Sequence, residues 1–255
     1  MTIIKHEIPI LEYDTAADAV LMPGHERLAL QLPKKAVFAF PGSTVDAYAQ
    51  RQGAVIVSHF VSATKAFPVY LLKRDNQELC LMQAPAGAPA AVQILDWLFA
   101  YGVTDVISTG SCGVLDEMEE NSFLVPRRAL RDEGTSYHYL PPSRFVEISA
   151  KARFAIRKAL RKRGLPYTEC ITWSTDGFFR ETKGKIAYRK SEGCSVVEME
   201  CSALAACAEL RGAVWGELLY TADTLSNPDR YEERGWGSRS SELALEISLD
   251  AALNL

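Results

Sequence analysis

Short runs rich in β-branched and aromatic residues alternate along the chain with longer runs of helical character. The short runs predict strands, and the longer ones predict helices. Such alternation is typical of an α/β fold, in which helices cover a central sheet. Strands are predicted at residues 36–40, 54–61, 69–73, 78–83, 103–109, 122–125, 167–173, 195–198 and 214–221. Helices are predicted at residues 88–101, 145–163, 201–211 and 240–253.

Glycine marks the ends of three predicted helices. Gly102, Gly164 and Gly212 each follow a helical run, where glycine most easily adopts the left-handed conformation that ends a helix. The sequence contains no internal repeat, no low-complexity segment and no linker, and its proline-containing stretches are only a few residues long. We therefore predict a single domain over residues 1–255.

Composition narrows the class of protein without naming a function. The chain has 255 residues, of which 48% are hydrophobic and 24% charged, and its net charge is −4. This balance is typical of a globular protein and argues against a nucleic-acid partner. No apolar run approaches the roughly 20 residues that span a bilayer, so no membrane partner is expected.

Cysteine and histidine usage indicates the compartment and excludes a metal site. The six cysteines show no CxxC spacing, which is typical of reduced thiols. Charged residues interrupt the short apolar stretch at the N-terminus, so no signal peptide is predicted and the protein is expected to be cytoplasmic. The four histidines lack metal-ligand spacing, and no metal is expected.

Two glycine-containing segments follow predicted strands, at the end where open α/β sheets bind ligands. One is PGST at residues 41–44, and the other is TGSCG at residues 109–113. Glycine there allows backbone amides to approach an anion. Glycines at strand-to-turn junctions are also common without any ligand, so each segment alone is weak evidence.

Two segments carry acidic side chains at the ends of predicted strands, and the residue types of the first are suited to binding a sugar. In VEME at residues 197–200, a carboxylate can accept hydrogen bonds from two adjacent hydroxyls while methionine packs on the sugar ring. Asp223 ends the last predicted strand. The alternative is that the acidic residues of VEME only favour a helix N-terminus and that Asp223 only opens a turn.

Two longer segments are unusually rich in polar and aromatic residues, RDEGTSYHY at 131–139 and WSTDGFFRE at 173–181. Paired aromatic side chains can stack on a planar base. A structured surface loop with internal salt links is the alternative for both segments. Likewise, residues 224–237 form either a lid over the site or a fixed surface loop.

Taken in order, TGSCG, RDEGTSYHYLPP, WSTDGFFRET, VVEME and YTAD resemble the nucleoside phosphorylase family. That family includes purine nucleoside and uridine phosphorylases and related nucleosidases, and the chain is similar to a divergent, uridine phosphorylase-like branch. The resemblance runs from about residue 36 to residue 223. It implies an α/β fold with a central mixed, barrel-like sheet flanked by helices, a homo-oligomer (dimer or hexamer), and a role in nucleoside salvage.

The resemblance also implies roles for individual residues. Catalysis would rest on Asp223, which would protonate a purine base as it leaves. Such an acid needs a raised pKa. Ribose would be bound by Glu200, Met199 and His138, and by His25 from a neighbouring subunit. The base would be bound by Phe178, Val197, Cys112 and Gly113. Phosphate would be bound by Gly42, Gly110 and Ser111. No cofactor is implied beyond phosphate as co-substrate.

The sequence departs from the phosphorylases at their phosphate-binding arginines. Ser108 and Asp46 stand at these two positions. Serine cannot replace the bidentate guanidinium fork, and aspartate repels a dianion. Arg131, Arg180 or an arginine of another subunit would have to compensate.

The resemblance favours phosphorolysis of a ribonucleoside to pentose 1-phosphate and free base, with purine favoured and uridine possible. Thr182 and Gly184 replace the pair with which typical uridine phosphorylases contact uracil. The alternatives are a hydrolytic nucleosidase that uses the same residues and a non-catalytic nucleoside-binding relative.

Overall fold

The computed structural model describes residues 2–16 and 18–255, in which twelve strands and six α-helices are found. The strands are β1 (Ile3–Ile4), β2 (Tyr13–Asp14), β3 (Lys35–Ala39), β4 (Val55–Val61), β5 (Ala66–Arg74), β6 (Gln77–Gln83), β7 (Asp105–Val114), β8 (Phe123–Asp132), β9 (Phe145–Glu147), β10 (Thr168–Thr175), β11 (Val196–Glu198) and β12 (Val214–Thr224). The helices are α1 (Gly42–Arg51), α2 (Ala88–Ala100), α3 (Ala150–Lys162), α4 (Lys183–Ser191), α5 (Cys201–Leu210) and α6 (Ser241–Leu253).

Five strands of the main sheet close into a barrel. They are hydrogen-bonded in the order β11, β10, β8, β12 and β7, and β11 pairs with β7 to complete the ring. Parallel and antiparallel pairings both occur, so the barrel is mixed. Beyond β7 the sheet continues through β3, β6 and β5 to β4. The predicted α/β fold with a mixed, barrel-like sheet is therefore confirmed.

Helices cover both faces of the sheet, and β3 shows why. Ala36 and Phe38 belong to one apolar cluster, which includes residues of α2 and α5. Val37 and Ala39 belong to another, which includes residues of α3 and α6. A strand buried on both faces is continuously apolar, as this one is.

Two strands of the barrel extend further than predicted, and this extension positions the site. β7 includes the whole TGSCG segment, which the sequence pattern places after a strand and not within one. β12 includes Asp223 and shifts register between Thr221 and Thr224. Such register shifts change the direction in which side chains point and are frequent next to active sites. The alternative explanation of Asp223, that it only opens a turn, does not apply, because Asp223 lies within β12.

The structure also differs from the prediction in where one helix begins and in how many helices there are. Residues 145–147, predicted to begin a helix, form β9 and pair with β8. Helix α3 begins only after Ser149, whose hydroxyl accepts a hydrogen bond from the Ala152 amide. Helices α1 and α4 were not predicted. The expected left-handed glycines are confirmed, because Gly102, Gly164 and Gly212 all have positive φ.

All six cysteines are buried and free. Within residues 2–16 and 18–255, no helix is both long enough and apolar enough to cross a bilayer.

Candidate active site

A cavity of about 200 Å³ lies between β7, β12 and the junction of β11 with α5. Nine of the twelve site residues predicted from the sequence line it. They are Gly110, Ser111, Cys112, Gly113, Phe178, Val197, Met199, Glu200 and Asp223. Six more lining residues were not among the predicted ones: Phe40, Ala86, Glu181, Glu198, Glu217 and Trp236. The segments that carry the family resemblance thus meet in one place, while the roles of their residues remain predictions.

The wall formed by β7 is tightly packed at its glycines. A Cβ at Gly113 would lie 3.0 Å from Leu225, 3.1 Å from Val197 and 3.3 Å from an Asp223 carboxylate oxygen. A Cβ at Gly110 would lie 2.9 Å from the Phe40 ring. Glycine therefore allows the neighbouring strands to bring Val197, Asp223 and Phe40 against the β7 backbone.

Glu198 organises the junction between β11 and α5. Its carboxylate accepts hydrogen bonds of 2.6 Å from the backbone amides of Glu200 and Cys201, at the N-terminus of α5. It also accepts bonds from the hydroxyls of Thr172, at 2.9 Å, and Ser174, at 2.6 Å. The helix-capping explanation of VEME therefore applies to Glu198, which leaves Glu200 available to the cavity.

Glu200 is buried with incomplete compensation of its charge. Its carboxylate accepts hydrogen bonds from the backbone amides of Gly87 and Met199. Burial, followed by the charge of Glu198, raises the pKa of Glu200 to about 8. Further hydrogen-bond donors would favour its ionised form.

Asp223 and Glu181 form a second acidic pair near Phe178. Burial raises the pKa of Asp223, and a hydrogen bond with Tyr231 lowers it by a smaller amount. Burial and then the charge of Asp223 raise the pKa of Glu181 to about 7. A carboxyl that holds its proton near neutral pH can serve as a general acid.

Glu217 is the least compensated carboxyl of the cavity. It lies on β12, is 2% exposed, and its Oε2 atom has no hydrogen-bond partner. Burial, followed by the charges of Glu198 and Glu200, raises its pKa well above the usual range. The sequence offers a signal for this residue, because a charged side chain interrupts the apolar run Val214–Thr221.

Aromatic side chains form the outer part of the cavity. Phe178 packs edge-on against Phe179, with ring centroids 4.9 Å apart. Phe178 and Trp236 also line an adjoining cavity of about 500 Å³, bordered by the segment from Leu225 to Glu233. The backbone on either side of Trp236 is held in place, since the amides of Gly235 and Gly237 donate to Glu120 at 3.0 and 2.8 Å.

No lysine, arginine or histidine lines the cavity of about 200 Å³, as far as the described chain goes. Ser108, at the first expected arginine position, is buried and accepts a 2.9 Å bond from the Trp215 indole. Asp46, at the second, accepts a bond from the Tyr70 hydroxyl. Arg131 instead binds Ser136, Ser143 and the carbonyl groups of residues 140 and 141. Arg180 is exposed. Neither arginine restores the phosphate site within one chain.

Three predicted residues lie away from this cavity. A Cβ at Gly42 would lie 2.2 Å from the Gln83 side-chain amide, so the Gln83 side chain fills the space beside Gly42. His25 and His138 are exposed and line a separate cavity of about 770 Å³. The structure therefore does not bring His138 to Glu200 within one chain. The role predicted for His25 in a neighbouring subunit stays a prediction.

Comparisons with known proteins agree with the fold. A crystal structure of AMP nucleosidase from Bacteroides thetaiotaomicron VPI-5482 is 23% identical, with a TM-score of 0.70 over 87% of this chain and 88% of that one. Purine nucleoside phosphorylase from Toxoplasma gondii is 17% identical, with a TM-score of 0.74 over 88% and 92%. Uridine phosphorylase from Vibrio fischeri ES114 is 20% identical, with a TM-score of 0.76 over 88% and 94%.

Sequence comparisons supply the family. An uncharacterised protein of Acanthamoeba polyphaga mimivirus is 31% identical over 125 residues, which span 49% of this chain and 48% of that protein, so the match covers about half of each. The family profile of the phosphorylase superfamily matches residues 37–254. The resemblance carried by TGSCG, VVEME and YTAD is thereby confirmed, and the chain belongs to the phosphorylase superfamily, a superfamily of enzymes.

Proposed function

We propose that this protein is a nucleoside N-ribosidase, which cleaves the bond between base and ribose with water. The observation that carries the proposal is the charge of the cavity. Five carboxyl groups line it, those of Glu181, Glu198, Glu200, Glu217 and Asp223, with no cationic side chain among the described lining residues. A phosphate dianion would meet no compensating cation there, whereas water carries no charge and needs none.

The proposed chemistry divides the work between two carboxyl groups. As the C1′–N bond breaks, its electron pair passes to the base and the sugar gains positive charge. Asp223 donates its proton to the purine, and ionised Glu200 binds the ribose hydroxyls and stabilises the cationic sugar. The oxygen of water bonds to C1′, and the proton that it releases passes to a carboxylate of the cavity.

The proposed substrate has a purine base. Asp223 suits a purine because N7 accepts the proton that neutralises the leaving base. The positions that would contact uracil are used otherwise. Thr182 accepts a hydrogen bond from the Lys185 amide as the N-cap of α4, and Gly184 lies inside that helix.

Phosphorolysis is the second candidate. Ser111 and Gly110, two of the three residues predicted to bind phosphate, line the cavity. An arginine from a neighbouring subunit would then have to supply the missing charge.

The experiment compares inosine, guanosine, adenosine and uridine as substrates of the purified protein, with and without phosphate. Chromatography separates the base, free ribose and ribose 1-phosphate. Hydrolysis predicts purine release and free ribose at a rate independent of phosphate. Base release that requires phosphate and yields ribose 1-phosphate would establish phosphorolysis, and nucleoside binding without either product would establish a non-catalytic relative.

The variant Asp223→Asn tests the acid. Loss of a general acid lowers turnover by a factor of about 10² to 10⁴, so inosine cleavage should fall within that range. Glu117→Gln, which removes one exposed carboxylate outside the cavity, is the matched control. Turnover of inosine by Asp223→Asn at the rate of the control would show that Asp223 is not the acid.

A further inference from the structure

We infer that the preferred substrate is a ribonucleoside whose base carries a permanent positive charge, held by Glu217 and the aromatic wall of the cavity. This inference rests on the proposed function, because it names the substrate class of the same site. Its three supporting observations are the unpartnered carboxyl of Glu217, the arrangement of aromatic rings, and the lack of positive charge in the described cavity wall.

Glu217 is the first observation. It lines the cavity, is 2% exposed, and its Oε2 atom has no hydrogen-bond partner. A buried carboxyl oxygen without a hydrogen-bond partner is costly, and native structures rarely keep one without a ligand or a function. A positively charged ligand would compensate this group, whereas a phosphate would not.

The neighbours of Glu217 do not supply that compensation. Besides burial, the charges of Glu198 on β11 and Glu200 at the start of α5 raise its pKa, and the only group of the described chain that lowers it is the Cys201 thiol, which is a weak donor. Its charge is also felt by Cys112 on β7 and Cys170 on β10. None of these groups is a cation. By contrast, the four hydrogen bonds to Glu198 compensate that carboxylate within the fold.

The aromatic wall is the second observation. Phe40, Phe178 and Trp236 line the same cavity as the carboxyl groups. The face of an aromatic ring attracts organic cations. A neutral base would stack on these rings but would not gain the attraction between a cation and the ring faces.

The remaining charges near the site do not alter this assignment. Lys185 acts on Glu181, and Arg234 acts on Asp223, but neither side chain lines the cavity. Lys183 borders the adjoining cavity and is paired with Asp229. The positive charges therefore lie beside the outer acidic pair, and Glu217 is left without one.

A cationic base also changes the chemistry in a way that can be measured. When the C1′–N bond breaks, its electron pair returns to the base nitrogen, and the base leaves as a neutral molecule. Water adds its oxygen to C1′ and releases one proton to a carboxylate of the cavity. No proton is needed on the base, so Asp223 matters far less than it does for inosine.

The probes are N-ribosylnicotinamide, a permanent pyridinium cation, and its neutral 1,4-dihydro form, with inosine as the purine reference. The cation is expected to show a KM at least about tenfold lower than the dihydro form, which is about 1.4 kcal/mol at 25 °C. Its dissociation constant should also fall between pH 6 and pH 9, because binding displaces protons from carboxyls such as Glu200, with a pKa of about 8, and Glu181, at about 7. The affinity for the neutral form should change much less.

Variants separate this inference from a structural effect. Glu217→Gln should raise the KM for the cation about tenfold more than that for inosine, and Glu117→Gln is the charge-matched control. If Glu217→Gln does not fold, Phe178→Leu takes its place in the test, because Phe178 is 42% exposed and tolerates change. This variant should also raise the KM for the cation more than the KM for inosine. Asp223→Asn should lower inosine cleavage far more than cleavage of the cation.

The outcomes are distinguishable from those of the proposed function. Equal KM values for cation and dihydro form, or equal effects of Glu217→Gln on cation and inosine, would overturn the inference while leaving hydrolysis intact. If no nucleoside is cleaved without phosphate, the proposed function fails. Calorimetric binding of the cation that depends on pH and on Glu217 would then still support the substrate class.

Discussion

Five carboxyl groups share one cavity, and what distinguishes them is the number of donors that each one meets. Glu198 accepts four hydrogen bonds from the protein, and Glu200 accepts two from the backbone. Oε2 of Glu217 accepts none. Because burial disfavours the charged form of every one of them, the cost of ionisation rises in that order. The site thus holds protons at neutral pH that exposed carboxyls would have lost.

Those protons make the stability of the fold depend on pH. The pKa of Glu200 is about 8 in the folded chain against 4.5 for the free side chain, so the folded state binds more protons between these values. The free energy of unfolding should therefore be highest below pH 4.5 as far as this group is concerned. It should fall as pH rises to about 8, by at most about 1.4 kcal/mol per pH unit.

Urea unfolding at pH 5, 6.5 and 8, expressed as free energies, measures this slope. Glu200→Gln, which keeps the shape of the side chain and cannot ionise, should flatten the decline relative to wild type, and Glu117→Gln should not. The carboxyls with lowered pKa, such as Asp132 and Glu192, lose their contribution only as pH falls below this window. A Glu200→Gln slope equal to that of wild type would show that Glu200 is ionised without cost.

At the level of elements, two strands of the barrel and one helix start supply most of the site. β7 supplies Gly110 to Gly113, β12 supplies Glu217 and Asp223, and the β11–α5 junction supplies Glu200. Neighbouring strands bring them together, since Val197 pairs with Gly113 on one side and Trp173 on the other. Residues from different parts of the chain therefore meet because the barrel closes.

The sequence predicts the strands and most site residues, and its failures have local causes. TGSCG resembles a loop because glycine weakens strand propensity, yet the approach of Phe40 and Asp223 requires glycine there. Helix α4 is missed because Gly184 and Ser191 dilute its helical pattern. The apolar run around Glu217 makes that residue conspicuous in the sequence, but only the fold places Glu217 and Glu181 at the cavity, since their position there depends on contacts far apart in sequence.

The requirement for glycine in β7 can be tested with Gly113→Ala. A Cβ at 3.0 to 3.3 Å from Leu225, Val197 and Asp223 is tighter than ordinary contact, so these side chains must shift by a few tenths of an ångström. We expect lower turnover of inosine, because displacement of an acid by even this amount impairs proton transfer. Kinetic assays and thermal unfolding of the same preparation measure the two effects.

Gly184→Ala is the matched glycine-to-alanine control. A Cβ there would have no atom within 4 Å, and alanine in α4 should stabilise the fold by about 0.5 kcal/mol. Its turnover should equal that of wild type. Unchanged turnover in both variants would show that β7 tolerates a side chain at Gly113.

At the scale of the whole molecule, one edge of the sheet exposes apolar side chains. β4 ends the strand order and pairs only with β5 in the described part of the chain. Val55 is 63% exposed and Val61 is 69% exposed. Open edges with apolar side chains favour pairing with another chain. Val61 also borders the cavity that contains His25 and His138.

We therefore predict a homo-oligomer in which β4 contributes to the interface. Val61→Lys should place an unpaired charge in that interface and shift the molar mass measured by light scattering after size exclusion toward the monomer. Phe154→Lys, at an exposed apolar residue on α3, is the control and should leave the mass unchanged. If His25 completes a neighbouring site, inosine turnover should fall together with the oligomer in Val61→Lys, because the monomer loses that contact. A wild-type mass equal to the 28.2 kDa chain at every concentration would contradict the predicted interface and confine the site to one chain.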